Sequence, residues 1–260
     1  MSQHIRYEVA GRVGTVTIDR PEKRNAMTYA ILHEFIEAIR TAGEDTTTSV
    51  VVVTGVPGAF CAGTDLSDLD ATPASTRGLR GTAQERQRWW PLIECPKPTI
   101  CAVDGPAVGM GAEFTSQCDL RLASTNASFA WNFVHRGLVP DTGAGTWLLP
   151  RLVGLQTALR LVYTGERIDA AEAQRIGYVL DVVEPDQLAG ATQALADAVA
   201  SGSPHSQRLI KTLVYDGLTA SVDEHMVRHT EALTACFASE DHKEGVASFL
   251  ERRPAVFTGR

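Results

Sequence analysis

Long hydrophobic runs are absent from this sequence of 260 residues, and none approaches the length that a membrane-spanning helix requires. Residues 1–6 provide no apolar signal core, so we predict a cytoplasmic protein without a membrane partner. Basic residues are outnumbered, with 24 Lys and Arg against 31 Asp and Glu and a net charge of -7. Nucleic acid is therefore not an expected partner, because the neutralisation of phosphates requires clustered Lys and Arg.

Paired cysteines are also missing. The five cysteines are odd in number and scattered, with no Cys-x-x-Cys spacing, so the sequence favours neither a zinc site nor a disulfide framework. His225 and His229 lie four residues apart, but the sequence offers no evident third ligand, and we expect no metal site. A reducing cytosol fits this use of cysteine.

The sequence does contain an alternation of strand and helix patterns. Residues 13–18 alternate in hydrophobicity as a strand does, and the β-branched run 50–54 predicts a second strand. Between them Thr28 can cap a helix to about residue 41, whose apolar side chains form one stripe. The last third of the chain is helical in pattern and includes a capping box at 221–224. This order predicts an α/β fold.

The most informative stretch runs over residues 98–122. An apolar run of strand length at 100–103 is followed by glycines and a proline that forbid regular structure, and a helix is predicted over 112–118. The amide of Met110 then lies at the N-terminus of that helix, where unpaired N–H groups and the positive end of the helix dipole converge. Such a place stabilises an oxyanion, and Glu113 lies beside it in the first turn.

A second turn has the same design. The strand at 50–54 leads through glycines to Phe60-Cys-Ala-Gly-Thr-Asp-Leu66, which leaves the amide of Thr64 free at a predicted helix start. Two such turns can place two N–H groups on one carbonyl oxygen. After this turn, residues 67–77 form a polar stretch that predicts a loop, and residues 81–90 predict a short helix.

The two turns together resemble the motifs of the crotonase, or enoyl-CoA hydratase/isomerase, superfamily. The resemblance runs from Asp19-Arg-Pro-Glu-Lys-Arg-Asn-Ala-Met27 to Lys243-Glu-Gly-Val-Ala-Ser-Phe-Leu-Glu-Arg-Arg253. It implies an α/β spiral of ββα units that carries an acyl-CoA site over residues 1–195. It also implies a helical region over 196–260 that forms a homotrimer or a dimer of trimers and closes the coenzyme A site.

The resemblance also assigns roles to residues at matching positions. The thioester oxygen is expected on the amides of Thr64 and Met110. Coenzyme A is expected as part of the substrate and not as a bound cofactor. Its contacts are expected at Arg24, Ala26, Asp65, Leu66, Phe249 and Arg252. Trp131, Phe133 and Trp147 either line the acyl pocket or pack in the core.

The carboxylates decide which reaction is expected. Family hydratases split a water with two glutamates; Glu113 matches the first, but the second falls on Phe133, which cannot exchange a proton. Asp141 falls where several family isomerases carry an acid/base aspartate, and the segment around it resembles isomerases of the phenylacetate pathway. The aromatic side chains nearby are expected to desolvate Asp141 and raise its pKa. We therefore predict an isomerase with Asp141 as the proton shuttle and Glu113 as a helper or second acid.

Three other interpretations stay open at the level of sequence. The chain is a hydratase if Asp141 takes the place of the missing glutamate beside Glu113. It resembles the family's dehalogenases or hydrolases if Asp141 acts as a nucleophile. It is an acyl-CoA-binding protein if the site binds a thioester without turnover.

Overall fold

A computed structural model describes residues 4–65 and 90–260. Leu66, the loop predicted over 67–77 and all but the last residue of the helix predicted over 81–90 lie outside the described residues. Among the described residues no helix is both long enough and apolar enough to span a membrane.

The main sheet contains most of the strands that the structure describes. They are β1 (Ile5–Ala10), β2 (Val13–Ile18), β3 (Val50–Gly55), β4 (Thr99–Val103), β6 (Leu120–Ser124) and β9 (Asp181–Val183). A smaller sheet contains β5 (Pro106–Val108), β7 (Ser128–Ala130) and β8 (Ile168–Asp169). In the main sheet the order is β1-β2-β3-β4-β6-β9, and every adjacent pair except β1 and β2 is parallel. The predicted α/β class is confirmed.

The central strands are buried on both faces, which explains their composition. Strand β3 reads Val-Val-Val-Val-Thr-Gly, and its four valines are at most 4% exposed. Strand β4 is buried along its whole length. Central strands of a parallel sheet carry such continuous apolar runs because helices cover both faces. The strands predicted over 13–18 and 50–54 are confirmed.

The first long helix, Tyr29–Glu44, begins where the sequence predicts. The hydroxyl of Thr28 accepts the amide of Ile31 and caps the helix. Its apolar stripe faces the core, and its C-terminus lies three residues beyond the predicted end. The extension places Ala42 and Gly43 in buried positions, and Gly43 lies against Pro96.

Other helices cover the sheet or follow it in the C-terminal part. They are Pro91–Glu94, Met110–Gln117, Ala144–Trp147, Leu149–Val153, Leu155–Thr164, Ala170–Arg175, Leu188–Ala200, Pro204–Gly217, Val222–Ala238 and Glu240–Glu251. Two 3-10 helices span Pro21–Lys23 and Asn132–Arg136. The capping box at Ser221 and Glu224 is confirmed.

The predicted division at residue 195 falls inside helix Leu188–Ala200. Ala196 and Ala200 of that helix pack on Val50, Val52 and Ile100 of the main sheet, so the helix belongs to the core. Beyond it, helices Pro204–Gly217 and Val222–Ala238 bury none of their residues within this chain. A boundary after residue 200 follows the packing more closely, and the division itself stays a prediction.

Candidate active site

The structure brings the two glycine turns into contact. An isolated parallel bridge joins Cys61 to Ala107, so the first turn runs beside β5 and leads to the second. Gly63 has a positive φ of 97°, and a Cβ on it would lie 2.8 Å from the carbonyl oxygen of Val108 and 3.8 Å from the amide nitrogen of Met110. Thr64, the next residue, therefore lies close to the start of helix Met110–Gln117.

The amide of Thr64 is turned away from its neighbouring segment. Met27 donates its amide to the carbonyl of Gly63 and accepts the amide of Asp65, both at 2.8 Å. In a parallel bridge of this pattern the intervening residue directs its own N–H to the opposite side. Among residues 4–65 and 90–260, the hydrogen bonds of the structure include none from the amide nitrogen of Thr64.

The amide of Met110 lies at a helix start shaped by glycine. Gly109 precedes the helix with φ 56° and ψ -121°, a conformation that favours glycine over residues with a side chain. The Met110 amide donates to no acceptor in the described part of the chain. The two amides predicted for an oxyanion hole are thus adjacent and without a partner there.

Glu113 lies one turn into the same helix and has no exposed surface. Its Oε2 accepts a hydrogen bond of 2.6 Å from the hydroxyl of Thr142, while its buried Oε1 has no hydrogen-bond partner among the described residues. The pKa of Glu113 is raised to about 8. Burial is the main cause, and the negative charge of Asp141 contributes in the same direction. The Thr142 hydroxyl and the amides of Ala144 and Gly145 oppose this rise.

Asp141 differs from Glu113 because it keeps solvent-accessible surface. Protein nevertheless surrounds much of its carboxyl group, and the loss of hydration raises its pKa to about 6. Its negative charge raises the pKa of Glu113 and that of Cys61, so it lies within electrostatic reach of both turns. The predicted direction of the Asp141 pKa shift is confirmed.

Cys61 is not available as a nucleophile. Its side chain is buried, and its Sγ accepts the amide of Gly63 at 3.4 Å. Burial raises the pKa of the thiol to about 12, which leaves it protonated at neutral pH.

The three aromatic residues predicted for the acyl pocket have different surroundings. Trp131 has no exposed surface and packs edge-to-face on Tyr178 at 5.1 Å. These are core surroundings, and a place for Trp131 in the acyl pocket stays a prediction. Phe133 is buried, with its Cζ 3.9 Å from the position of a Cβ on Gly109. Its ring therefore lies beside the second turn.

Trp147 lies closer to the surface than Trp131. Its ring packs on Trp90 at 5.2 Å, and the guanidinium of Arg151 lies over it at 4.1 Å. The indole N–H of Trp90 donates to the carbonyl oxygen of Thr142 at 2.8 Å. Trp147 thus belongs to the wall that supports the Asp141 and Thr142 loop.

The predicted coenzyme A residues near the first turn are held by a side chain that the sequence did not single out. Arg20 pairs with the carboxylate of Asp65 at 2.9 Å and donates to the carbonyl of Ala26 at 2.8 Å. Arg24 is exposed, and its carbonyl accepts the amide of Ala62. Asp65 therefore contributes its backbone to this region while its carboxylate is bound by Arg20.

Phe249 and Arg252 lie in another part of the chain. Phe249, on helix Glu240–Glu251, is 82% exposed and borders a recess of about 450 Å³, and Arg252 caps that helix in the left-handed region. No hydrogen bond or ion pair of the described residues connects them with the turns at Thr64 and Met110. A role at the site for these two residues stays a prediction.

Sequence reasoning missed Asn25 and Thr142. Asn25 has a positive φ of 59°, is fully buried, and donates its side-chain amide to the carbonyls of Ala59 and Phe60 just before the first turn. Asparagine is enriched among residues with positive φ, so an asparagine in the segment that follows β2 could have indicated a left-handed turn at this position. Thr142 gave no such signal, because its contact with Glu113 spans 29 positions in sequence.

Metal coordination has no candidate in the part of the chain that the structure describes. No group of three or more His, Cys, Asp or Glu side chains there is arranged to hold a metal ion. His225 and His229 are two stacked rings on helix Val222–Ala238, with centroids 6.3 Å apart.

Comparison with known proteins gives consistent matches over the whole chain. The family model described as enoyl-CoA hydratase/isomerase matches residues 8–260. The crotonyl-CoA hydratase of Syntrophomonas wolfei is 35% identical, with 99% of each chain covered. The 1,2-epoxyphenylacetyl-CoA isomerase of Escherichia coli is 33% identical, with both chains fully covered. The crystal structure of an enoyl-CoA hydratase from Bacillus anthracis superposes with a TM-score of 0.90 at 29% identity, covering 99% of this chain and 100% of that one.

Proposed function

Because the chain belongs to the enoyl-CoA hydratase/isomerase, or crotonase, family, we propose that it binds an enoyl-CoA thioester and moves its double bond. The family and the fold make it an acyl-CoA-processing enzyme. The choice of isomerisation rests on the two carboxyl groups and on Phe133.

In the proposed reaction the thioester oxygen accepts hydrogen bonds from the amides of Thr64 and Met110. As the α-proton leaves, negative charge develops on this oxygen, and each donor in such an arrangement is worth about 3 kcal/mol in the transition state. The dipole of helix Met110–Gln117 acts in the same direction. Supply of these donors by the backbone explains how Thr and Met can occupy the two positions.

Asp141 is the proposed proton shuttle. Its ionised carboxylate takes the α-proton of a 3-enoyl thioester, and the electron pair of that C–H bond forms a dienolate whose negative charge rests on the thioester oxygen. The carboxylic acid so formed exchanges its proton with solvent and protonates the γ-carbon, which leaves a 2-enoyl thioester and an ionised Asp141. Accessibility supports this role, because Asp141 is exposed whereas Glu113 is fully buried.

Glu113 is the proposed helper because its proton affinity differs from that of Asp141. With pKa values of about 8 for Glu113 and about 6 for Asp141, the two groups share one proton at pH 7, which resides mainly on Glu113. Asp141 is then the ionised base. A neutral Glu113 also spares the site a second negative charge beside the developing enolate.

The observation that carries the proposal is the replacement of one of two expected glutamates by Phe133, whose ring lies beside the Gly109 turn. Water addition requires a second group to hold and split a water, and a phenyl ring cannot do so. Isomerisation requires one accessible carboxylate, which Asp141 provides.

Hydration is the second candidate, and one observation favours it. Hydratase activities dominate the names of similar proteins, whereas an isomerase name is the exception. In this case Glu113 and Asp141 would together hold the water that adds to the double bond. Asp141 would take a proton from the water, and Glu113 would donate its own proton to the α-carbon.

We propose a homotrimer or dimer of trimers as the working form, with no cofactor beyond the coenzyme A of the substrate. Support comes from apolar side chains exposed on the C-terminal helices, including Met226, Leu233, Phe237 and Phe249. Apolar surface of this kind marks an interaction site. A neighbouring subunit would then bring Phe249 and Arg252 to the coenzyme A site.

The test uses NMR of crotonyl-CoA and a 3-enoyl-CoA incubated with the protein in heavy water. Deuterium at the α or γ carbon with a shifted double bond, lost in Asp141→Asn, supports isomerisation. A 3-hydroxyacyl product that survives Asp141→Asn but is lost in Glu113→Gln contradicts it and favours hydration. A trapped acyl-enzyme at Asp141 also contradicts it, as does binding with neither exchange nor product.

A further inference from the structure

Thr142 has a complete and directional set of hydrogen bonds. Its hydroxyl lies 2.6 Å from Glu113 Oε2, and it accepts the amide of Ala144 at 3.2 Å and the side-chain amide of Gln117 at 3.4 Å. A hydroxyl has one proton to donate and two lone pairs to accept with. Because both acceptor positions are occupied, its proton points to Glu113 Oε2.

The backbone of Thr142 is anchored as well. Its carbonyl oxygen accepts the indole N–H of Trp90 at 2.8 Å, and Trp90 packs on Trp147. Rotation of the hydroxyl away from Glu113 would break its contacts with Ala144 and Gln117, while Trp90 holds the main chain in place. This rigidity distinguishes Thr142 from a threonine that caps its own turn and is otherwise free to rotate.

Thr142 provides the side-chain hydrogen bond to Glu113 among the described residues, while the amides of Ala144 and Gly145 also favour its ionised form. The residue has no exposed surface, and Oε1 is buried without a hydrogen-bond partner among the described residues. A Cβ on Gly145 would collide with Oε1, so the main chain closes that side of the carboxyl group. The 2.6 Å hydrogen bond from Thr142 consequently fixes the position of Oε2, and with it the rotamer of Glu113.

We propose that Thr142 is a positioning residue that fixes the orientation of Glu113 and, by donating to Oε2, confines the Glu113 proton to Oε1. This inference rests on the proposed function for its catalytic consequence, while its structural part holds for any reaction at this site. In a neutral carboxyl group the carbonyl oxygen accepts a hydrogen bond better than the hydroxyl oxygen does, so the Thr142 donor keeps Oε2 as the carbonyl oxygen. A neutral Glu113 therefore carries its proton on Oε1.

Proton affinity should follow the same hydrogen bond. The Thr142 hydroxyl stabilises the ionised carboxylate and so lowers the pKa of Glu113, whereas the charge of Asp141 on the adjoining position raises it. Burial, which is the largest cause, keeps the final pKa at about 8. Removal of the hydroxyl should raise the pKa of Glu113 further, because one stabilising contact with the charged form is lost.

The experiment compares Thr142→Val, which keeps the shape but removes the hydroxyl, with Thr142→Ser, which keeps the hydroxyl. Thr146→Val is the matched control, since Thr146 lies in the same segment and its hydroxyl bonds the Gly143 carbonyl instead of Glu113. The protonated-carboxyl stretching band is followed by infrared difference spectroscopy against pH, and Glu113→Gln identifies the Glu113 band. We expect Thr142→Val to raise the titration midpoint by about one pH unit.

Rescue and kinetics complete the test. Thr142→Ser and Thr146→Val should titrate as the unchanged protein does. If the isomerase proposal holds, Thr142→Val should lower kcat about tenfold with little change in KM, and the alkaline limb of its pH profile should move to higher pH. A folding defect would lower activity without moving the limb upward.

The outcomes separate this proposal from the proposed function. An unchanged Glu113 midpoint in Thr142→Val, in a variant whose circular dichroism matches that of the unchanged protein, overturns the positioning role. A shifted midpoint that Thr142→Ser also shows overturns it too, because the hydroxyl is then not the cause. A midpoint that shifts in Thr142→Val alone supports the role even if no double bond is moved, in which case only the isomerase proposal fails.

Discussion

Helix Met110–Gln117 and helix Val222–Ala238 differ in how much of their side-chain surface is buried within the chain. All eight residues of the first helix are buried, including Glu113 and Gln117, whereas none of the 17 residues of the second is buried. The first finds its packing partners within one chain. The second exposes apolar side chains that no part of the described chain covers. One region is therefore complete in the monomer, and the other is expected to become complete in an assembly.

The largest expected effect separates chemistry from assembly. Asp141→Asn removes the proposed base while keeping the size of the side chain, so kcat should fall by about 10²–10⁴-fold. Sedimentation velocity should show the same oligomer as the unchanged protein, because the substitution leaves the exposed apolar side chains of the C-terminal helices unaltered. Activity above one-tenth of the original would contradict a base role for Asp141.

The buried region should also respond to pH in a way that the exposed helices cannot. Burial raises the pKa of Glu113 from 4.5 to about 8, so between these values the folded chain holds a proton that the unfolded chain has released. This contribution to stability is fully present below the unfolded pKa and is lost as pH rises to the folded pKa. The loss amounts to about 1.4 kcal/mol per pH unit within that window.

Glu113→Gln isolates this contribution, because glutamine carries no titrating proton. The stability of Glu113→Gln relative to the unchanged protein should therefore increase from about pH 5 to about pH 8 and then level off, because only the unchanged protein loses stability over this range. Denaturant titrations at several pH values measure it. A difference that stays constant with pH would show that Glu113 does not titrate in this range.

A pair of glycines sharpens the comparison through packing. A Cβ on Gly111, inside the buried helix, would collide with the carbonyl oxygen of Cys61, whereas a Cβ on Gly190 would meet nothing within 4 Å. Gly111→Ala should therefore destabilise the protein by about 2 kcal/mol, since the two turns must separate. Gly190→Ala should stabilise helix Leu188–Ala200 by about 0.5–1 kcal/mol. Thermal unfolding of both variants measures the contrast, and equal effects would contradict it.

Local features of the fold could be predicted because their causes are local. The run of valines in β3 and the Thr28 cap of helix Tyr29–Glu44 follow from burial and capping within a few residues. The turns at Thr64 and Met110 were predictable for the same reason, since glycines and strand ends mark them in sequence. Their contact through Gly63 could be inferred from family resemblance, and the structure supplies its geometry.

Contacts between distant segments could not be predicted in this way. The Thr142 hydroxyl reaches Glu113, and Arg20 reaches Asp65 across 45 positions, without any periodic pattern that relates them. The surroundings of Trp131 were equally hard to predict. An aromatic residue near a site fits both a pocket wall and a core position, and its packing on Tyr178 could not be read from the sequence.

The smallest expected effect concerns the exposed helix. Phe237 is 60% exposed in the single chain, so replacement by serine should change monomer stability by less than about 0.5 kcal/mol if no partner covers it. If a second copy covers it, Phe237→Ser removes apolar burial worth up to about 2 kcal/mol at each interface and shifts the assembly toward monomers on dilution. Sedimentation equilibrium distinguishes these results, and Glu231→Gln on the same helix is the control.

An unchanged oligomer would exclude Phe237 from the interface. A weakened oligomer whose KM for an enoyl-CoA rises while kcat per intact site is kept would show that the exposed helices complete the coenzyme A site, which the buried helix cannot do alone.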